Sequence, residues 1–155
     1  MIQEAENEKA IAEQLEFKRE LDARAAEKAA AAEREGIRRE AEERIGMFHE
    51  VLDIDPDDPV ATMGLGSAYI QLERHADAIP HLVRATEVQR DFSAAYLKLG
   101  QCYEVTGQHA AACAAYRAGI EVASRKGDLM PLREMERRLK ALEQTRAAVD
   151  QAPAN

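Results

Sequence analysis

The feature that most constrains the fold of this sequence is a pattern that repeats at an interval of roughly 34 residues. In one copy Leu65, Gly66 and Tyr69 stand at the positions that Leu99, Gly100 and Tyr103 occupy in the next. The second half of each copy repeats as well, with Ala78, Leu82, Ala85, Glu87 and Val88 corresponding to Ala112, Tyr116, Gly119, Glu121 and Val122. Because such periods are typical of stacked supersecondary units, the pattern predicts two consecutive helix pairs.

The same register extends backwards by half a unit. One period before Ile79, Leu82, Ala85, Glu87 and Val88 stand Ile45, Phe48, Val51, Asp53 and Ile54. Pro56 and Pro59 then predict a helix stop and a new start, with Asp58 as the N-cap. We therefore predict a half repeat and linker over residues 44–58, a first repeat over 59–92 and a second over 93–126. Asp91 or Ser93 is expected to cap the first helix of the second repeat.

Residues 1–43 have a different composition, dominated by Glu, Lys, Arg and Ala, and we place a boundary near Gly46. Strong helix formers without proline predict a long charged helix from about Glu4 to Arg44. Its apolar stripe is thin and poor in leucine, which argues against a strong coiled coil. The stripe consists of Ile11, Leu15, Leu21, Ala25, Ala29 and Ala32. Two interpretations stay open, a solvated helix or a weak antiparallel or dimeric helix contact.

The C-terminal part carries a second amphipathic pattern. Leu132, Met135, Leu139 and Leu142 recur at spacings of three and four residues, which predicts a helix after Gly127 with Asp128 as its cap. A repeat array needs a terminal element with a polar outer face, so residues 127–149 are expected to form a capping helix. Residues 150–155 are expected to be a frayed tail.

Charge and composition exclude several classes of partner. The formal net charge is −8, so we expect no nucleic acid partner and no anionic membrane partner. No apolar run approaches the roughly 18 residues that span a bilayer, and the first ten residues do not have the pattern of a signal peptide. A cytoplasmic location follows as the expectation. Cys102 and Cys113 lie in apolar helical patterns outside a CxxC arrangement, which favours free buried thiols and leaves a disulfide open.

Residues 59–124 resemble the tetratricopeptide repeat family, which places Leu-Gly and Tyr in the first helix of each unit and Ala, an aromatic residue and Ala in the second. The matching positions are Leu65, Gly66, Tyr69, Ala78 and Ala85, and then Tyr96, Leu99, Gly100, Tyr103, Gly107, Ala112 and Tyr116. Leu82 replaces the aromatic residue in the first unit, and Thr62 replaces the usual large aromatic of its first helix. The resemblance implies an all-α fold, a short right-handed solenoid of two full repeats, a half repeat and a C-terminal capping helix, preceded by the long charged helix.

The resemblance also implies a binding surface, because the first helix of each unit lines a concave groove in this family. The corresponding positions here are Val60, Met63, Ser67, Ile70, Gln71, Ala94, Leu97, Lys98, Gln101, Glu104 and Val105. This lining is mostly apolar and would suit an extended or helical peptide with apolar anchors. The alternative is that the N-terminal helix or a second copy of the chain covers some of these residues.

Family members that act as chaperone adaptors hold a C-terminal carboxylate with Lys, Asn and Arg side chains in those helices. Met63, Ser67 and Ala94 occupy three of these clamp positions here, and only Lys98 could contribute a cation. Carboxylate recognition depends on several charge-assisted donors, so binding of an Hsp70 or Hsp90 tail is not expected.

The sequence offers little for catalysis or metal binding. His109 and Cys113 lie four residues apart on a predicted helix, but two ligands are too few for a zinc site. No nucleophile with a supporting base and no phosphate-binding loop is recognisable, so we expect no enzymatic activity, no metal and no cofactor. The sequence predicts a non-catalytic adaptor that binds a peptide or helix of a partner protein in the groove. The alternative is a structural module that self-associates, as a homodimer, through the N-terminal helix.

Overall fold

The computed structural model describes residues 2–153 and shows six helices among them, without a strand. The helices are α1 (Ile2–Ile54), α2 (Pro59–Gln71), α3 (His75–Val88), α4 (Ser93–Val105), α5 (His109–Lys126) and α6 (Leu129–Asp150). None of them is both long enough and apolar enough to cross a membrane. The predicted tail at 150–155 lies partly outside the described residues, but the amides of Gln151 and Ala152 still bond to carbonyls of α6.

The chain divides into two compact units between Arg39 and Glu40, before the position near Gly46 that composition suggested. In the first unit every described residue except Ala30 and Gly36 is exposed. Packing in the second unit begins at Ala41, which is fully buried. Helix α1 runs without interruption through Gly46, so the helix predicted to Arg44 and the helix of the half repeat are one helix.

Helix starts follow local rules only in part. Asp58 caps α2 as predicted, because its carboxylate accepts a hydrogen bond of 2.7 Å from the Ala61 amide. The expectation that Asp91 or Ser93 caps α4 is wrong, since Phe92 occupies the N-cap position and makes no side-chain cap. Ser93 is buried and donates its hydroxyl to Asp128 at 2.7 Å, so these two polar residues satisfy each other across the fold.

The core of the second unit lies between helices that pack on their neighbours in chain order, from α2 to α6. Glycines allow the two helices of each pair to approach closely. A Cβ added at Gly66 would lie within 3 Å of two Leu82 carbons, and one added at Gly100 would lie within 3 Å of the Tyr116 ring. The same contact therefore recurs one period later, which is the physical basis of the repeat.

Helix α6 packs on the pair formed by α4 and α5. Met135 is fully buried beside Gly119, and Leu132, Leu139 and Leu142 pack on the same cluster. Glu134 stands at the position that Gly66 and Gly100 take in the repeats, where a further helix would need a small residue. Hydrogen bonds from Arg137 and Arg138 lower the pKa of Glu134 to about 2. This charged side chain opposes the addition of another helix pair.

Two histidines and a tyrosine form a cluster where residues 40–54 meet α2 and α3. The rings of Tyr69 and His81 stack at 5.5 Å, His49 approaches the His81 ring edge-on at 5.8 Å, and Arg74 lies over Tyr69. Burial and the charge of His49 lower the pKa of His81, whereas nearby Asp77 acts in the opposite direction. The cluster therefore favours an uncharged His81.

The stability of the protein is expected to decrease as the pH falls below about 6.5, the ordinary pKa of histidine. A histidine whose pKa is lowered by folding binds protons more readily in the unfolded chain, so acid favours unfolding. In His81→Phe the fall in Tm between pH 7.5 and 5.5, measured by circular dichroism, should be smaller than in the wild type. His109→Phe is the control, because the exposed His109 lies outside this cluster. Equal pH dependence in all three proteins would contradict the assignment to His81.

Candidate peptide-binding groove

Helices α2 and α4 carry the residues predicted to line the groove. Both begin at a proline or small residue and both are 13 residues long, which gives them equivalent positions in the two pairs. Three of the predicted residues are exposed, namely Val60, Gln71 and Val105. The others are partly buried, namely Met63, Ser67, Ile70, Ala94, Leu97, Lys98, Gln101 and Glu104.

An apolar cleft of about 450 Å³ lies beside α2. It brings together three of the predicted residues, Val60, Met63 and Ser67. Its other walls are formed by Phe48, Pro59, Gly64, Gln89 and Phe92. Gly64 is essential to this shape, because a Cβ added there would lie within 3 Å of three Phe48 ring carbons.

The predicted residues on α4 lie outside this cleft, and two residues of the predicted set already have partners. Glu104 accepts a hydrogen bond from the buried Tyr116 hydroxyl and pairs with Arg138 at 3.3 Å. Burial, followed by the bond to Glu104, raises the pKa of Tyr116. Gln71 accepts a hydrogen bond from Arg44. These two polar side chains therefore connect helices of the fold.

Met63, Ile70 and Leu97 contribute to the core as well as to the predicted lining. Met63 and Ile70 pack against the cluster that contains Leu82 and Leu99, and Leu97 packs against the cluster that contains Tyr116. A charge at any of these three positions would disturb packing. Val60 is the better probe of binding, because its side chain lies on the cleft and is 69% exposed.

Sequence reasoning missed the aromatic walls of the cleft. Phe48 aligns with Leu82 and Tyr116 in the repeat register, which indicates a core position in the second helix of a pair. The structure instead places its ring against Gly64 of the following helix. Gly64 takes the position in the first repeat that Lys98 takes in the second, so this glycine was the available signal that another side chain packs closely there.

A second cleft of about 430 Å³ lies between α5 and α6 and includes His109 and Cys113. Within residues 2–153 no group of three or more His, Cys, Asp or Glu side chains could hold a metal ion. Both cysteines are free thiols. Cys102 is buried, which raises its pKa to about 11, but Cys113 is only partly buried, contrary to the expectation of two buried thiols.

Comparison with known proteins agrees with this architecture. Two tetratricopeptide repeat family models match the chain, one over residues 23–98 and the other over residues 93–126. The small glutamine-rich tetratricopeptide repeat-containing protein 2 of Mycosarcoma maydis is 28% identical over 78 residues, which is 50% of this chain. The match covers 22% of that relative's length.

Solved structures show the same fold. The first tetratricopeptide domain of Spaghetti (RPAP3), bound to the HSP90 peptide SRMEEVD, superposes with a TM-score of 0.60 at 23% identity, over 70% of this chain and 81% of that one. The translocator chaperone SycD of Yersinia enterocolitica gives 0.65 at 16% identity, over 70% and 75% of the two chains. The Sgt2 domain of Aspergillus fumigatus gives 0.60 at 23% identity, over 79% and 87%. With its repeated helix pairs and two matching family models, the chain belongs to the tetratricopeptide repeat family.

Proposed function

We propose that this protein is a non-catalytic cytoplasmic adaptor that binds a segment of a partner protein at the cleft beside α2. The observation that carries this proposal is the cleft itself, open to solvent and walled by Phe48, Met63 and Phe92. Its volume of about 450 Å³ falls within the usual range for ligand-binding clefts. A peptide would place an apolar side chain there.

The charges around α2 and α4 favour an apolar anchor over an acidic tail. Lys98 is the cation on the predicted lining, and the carboxylate of Glu104 is held by Tyr116 and Arg138. One lysine provides a single point charge, whereas tight recognition of a terminal carboxylate uses several convergent donors. The HSP90 peptide in the related Spaghetti structure belongs to that protein, and we expect this chain to bind such a peptide weakly.

Val60→Glu is expected to weaken peptide binding at least about tenfold, because it places a charge at the mouth of an apolar cleft. Peptides would be selected from a random display library on the purified protein, and their affinities measured by calorimetry. Leu129→Glu is the matched control, since Leu129 is 57% exposed on α6 and lines neither of the two clefts. Melting curves of both variants should stay near the wild-type curve.

Two results would contradict the proposal. One is a set of selected peptides that bind Val60→Glu as tightly as the wild type. The other is a selection that returns only acidic peptides with a free carboxylate terminus and no apolar anchor, which would indicate a clamp centred on Lys98.

A second candidate function is self-association through the first unit. Ile11, Leu15 and Leu21, the large residues of the stripe described above, are between 48% and 51% exposed on α1. Within the described residues of the first unit, no other segment covers these large apolar side chains. Such a stripe favours packing against another helix. The same helix of a second copy of the chain can provide that surface.

A further inference from the structure

The first unit is asymmetric in the size of its apolar side chains. Among residues 2–22 the large ones are Ile2, Ile11, Leu15, Phe17 and Leu21. Residues 23–39 instead hold seven alanines, with Ile37 as the large aliphatic residue. A Cβ added at Gly36 would meet nothing within 4 Å, so the space beside this glycine is open. Residues 2–22 therefore carry large apolar side chains, whereas the apolar residues of 23–39 are mostly alanines.

The same unit is asymmetric in charge. Residues 2–22 contain seven acidic and three basic side chains, whereas residues 23–39 contain three acidic and five basic ones. The N-terminal half is thus negative and the C-terminal half positive. Two such helices attract each other when they lie antiparallel, because each negative half then faces a positive half.

The size asymmetry lies along part of the apolar stripe of α1, continued to Gly36. Ile11, Leu15, Ala25, Ala29, Ala32 and Gly36 follow one another at helical spacings compatible with one face. Lys18 and Asp22 continue the same spacing between Leu15 and Ala25, one turn apart and opposite in charge.

From these observations we propose that residues 2–39 pair with the same segment of a second copy of the chain, antiparallel, with Ile11 opposite Gly36 and Leu15 opposite Ala32. This inference rests on the self-association proposed above and adds its orientation and register. Each large side chain then faces a small residue, which lets the two helices approach closely. A parallel pair would instead set large against large at one end, alanine against alanine at the other, and like charge against like charge throughout.

The association is tested first on the full chain by light scattering over a range of concentrations. The wild type should show a dimer mass that decreases on dilution and with added salt, because part of the attraction is between exposed charges. Ala32→Glu should raise the dissociation constant at least about tenfold. Ala31→Glu is the matched control, since it adds the same charge at the neighbouring exposed alanine, off the stripe. A monomer mass for the wild type at all concentrations would overturn both the self-association and the inference.

The orientation is tested separately by disulfide formation. In a full chain carrying Cys102→Ala and Cys113→Ser, one version receives Leu15→Cys and another Ala32→Cys. Mild oxidation of the mixture should give the mixed 15–32 dimer several-fold more abundantly than either version alone gives its own dimer. Preferential dimers of each version with itself would indicate a parallel pair and would overturn the inference while leaving self-association intact.

Discussion

Removal of α6 by truncation after Lys126 is expected to make the protein aggregate or to lower its Tm by at least about 10 °C. Met135, Leu132, Leu139 and Leu142 cover the last helix pair, and burial of each large aliphatic side chain is worth roughly 1.5–3 kcal/mol. The stability of a whole domain is only about 5–15 kcal/mol. For a domain of this size about 1 kcal/mol moves Tm by roughly 2–8 °C. Calorimetry and light scattering on the shortened chain measure both effects.

A pair of methionines gives the same test without truncation. Met135→Asp should destabilise the protein nearly as much, because it leaves an unpaired charge at a fully buried position. Met130→Asp should leave Tm almost unchanged, since Met130 is 81% exposed in the first turn of the same helix. Equal melting curves for the two variants, or an unchanged monomeric protein after truncation, would show that α6 does not stabilise the repeats.

Gly100→Ala is expected to destabilise the protein by about 1–3 kcal/mol, although alanine is the better helix former. The added Cβ would lie within 3 Å of three ring carbons of Tyr116, which is fully buried. The ring has little freedom to move, since its hydroxyl donates to Glu104 and Glu104 pairs with Arg138. Chemical denaturation of the purified variant measures the change in the free energy of unfolding.

Gly46→Ala is the control for that substitution. Gly46 is exposed inside α1, and a Cβ there would meet nothing within 4 Å. The expected effect is a gain of up to about 1 kcal/mol from helix propensity alone. Gly100→Ala with the stability of the wild type would mean that the α4–α5 crossing tolerates a methyl group, contrary to the contact described.

Much of the fold could be predicted from the sequence because its determinants are local or periodic. Helix α2 begins at Pro59, directly after its N-cap Asp58. These two neighbouring residues are enough to predict the start of the helix. The contact of Gly66 with Leu82 recurs as the contact of Gly100 with Tyr116. The period of the sequence therefore predicts which helix contacts repeat in the structure. The stripe from Leu132 to Leu142 likewise defined α6 as an amphipathic helix, and the structure packs it on the last pair.

The candidate site was less accessible to such reasoning. The repeat register identified Val60, Met63 and Ser67, but the cleft also needs Phe48 and Phe92, which come from other segments. Whether Phe48 fills a core position or walls a cleft depends on the absence of a side chain at Gly64, a contact between different helices.

Polar partners were decided by the tertiary structure. Sequence alone determined the number and order of the helix pairs, because hydrophobic period and capping act within a few residues. From the sequence, Ser93 was a candidate helix cap and Glu104 a candidate residue of the groove lining. The folded chain brings Asp128 to Ser93 and Arg138 to Glu104, and a buried or half-buried polar group bonds to the partner that packing places beside it.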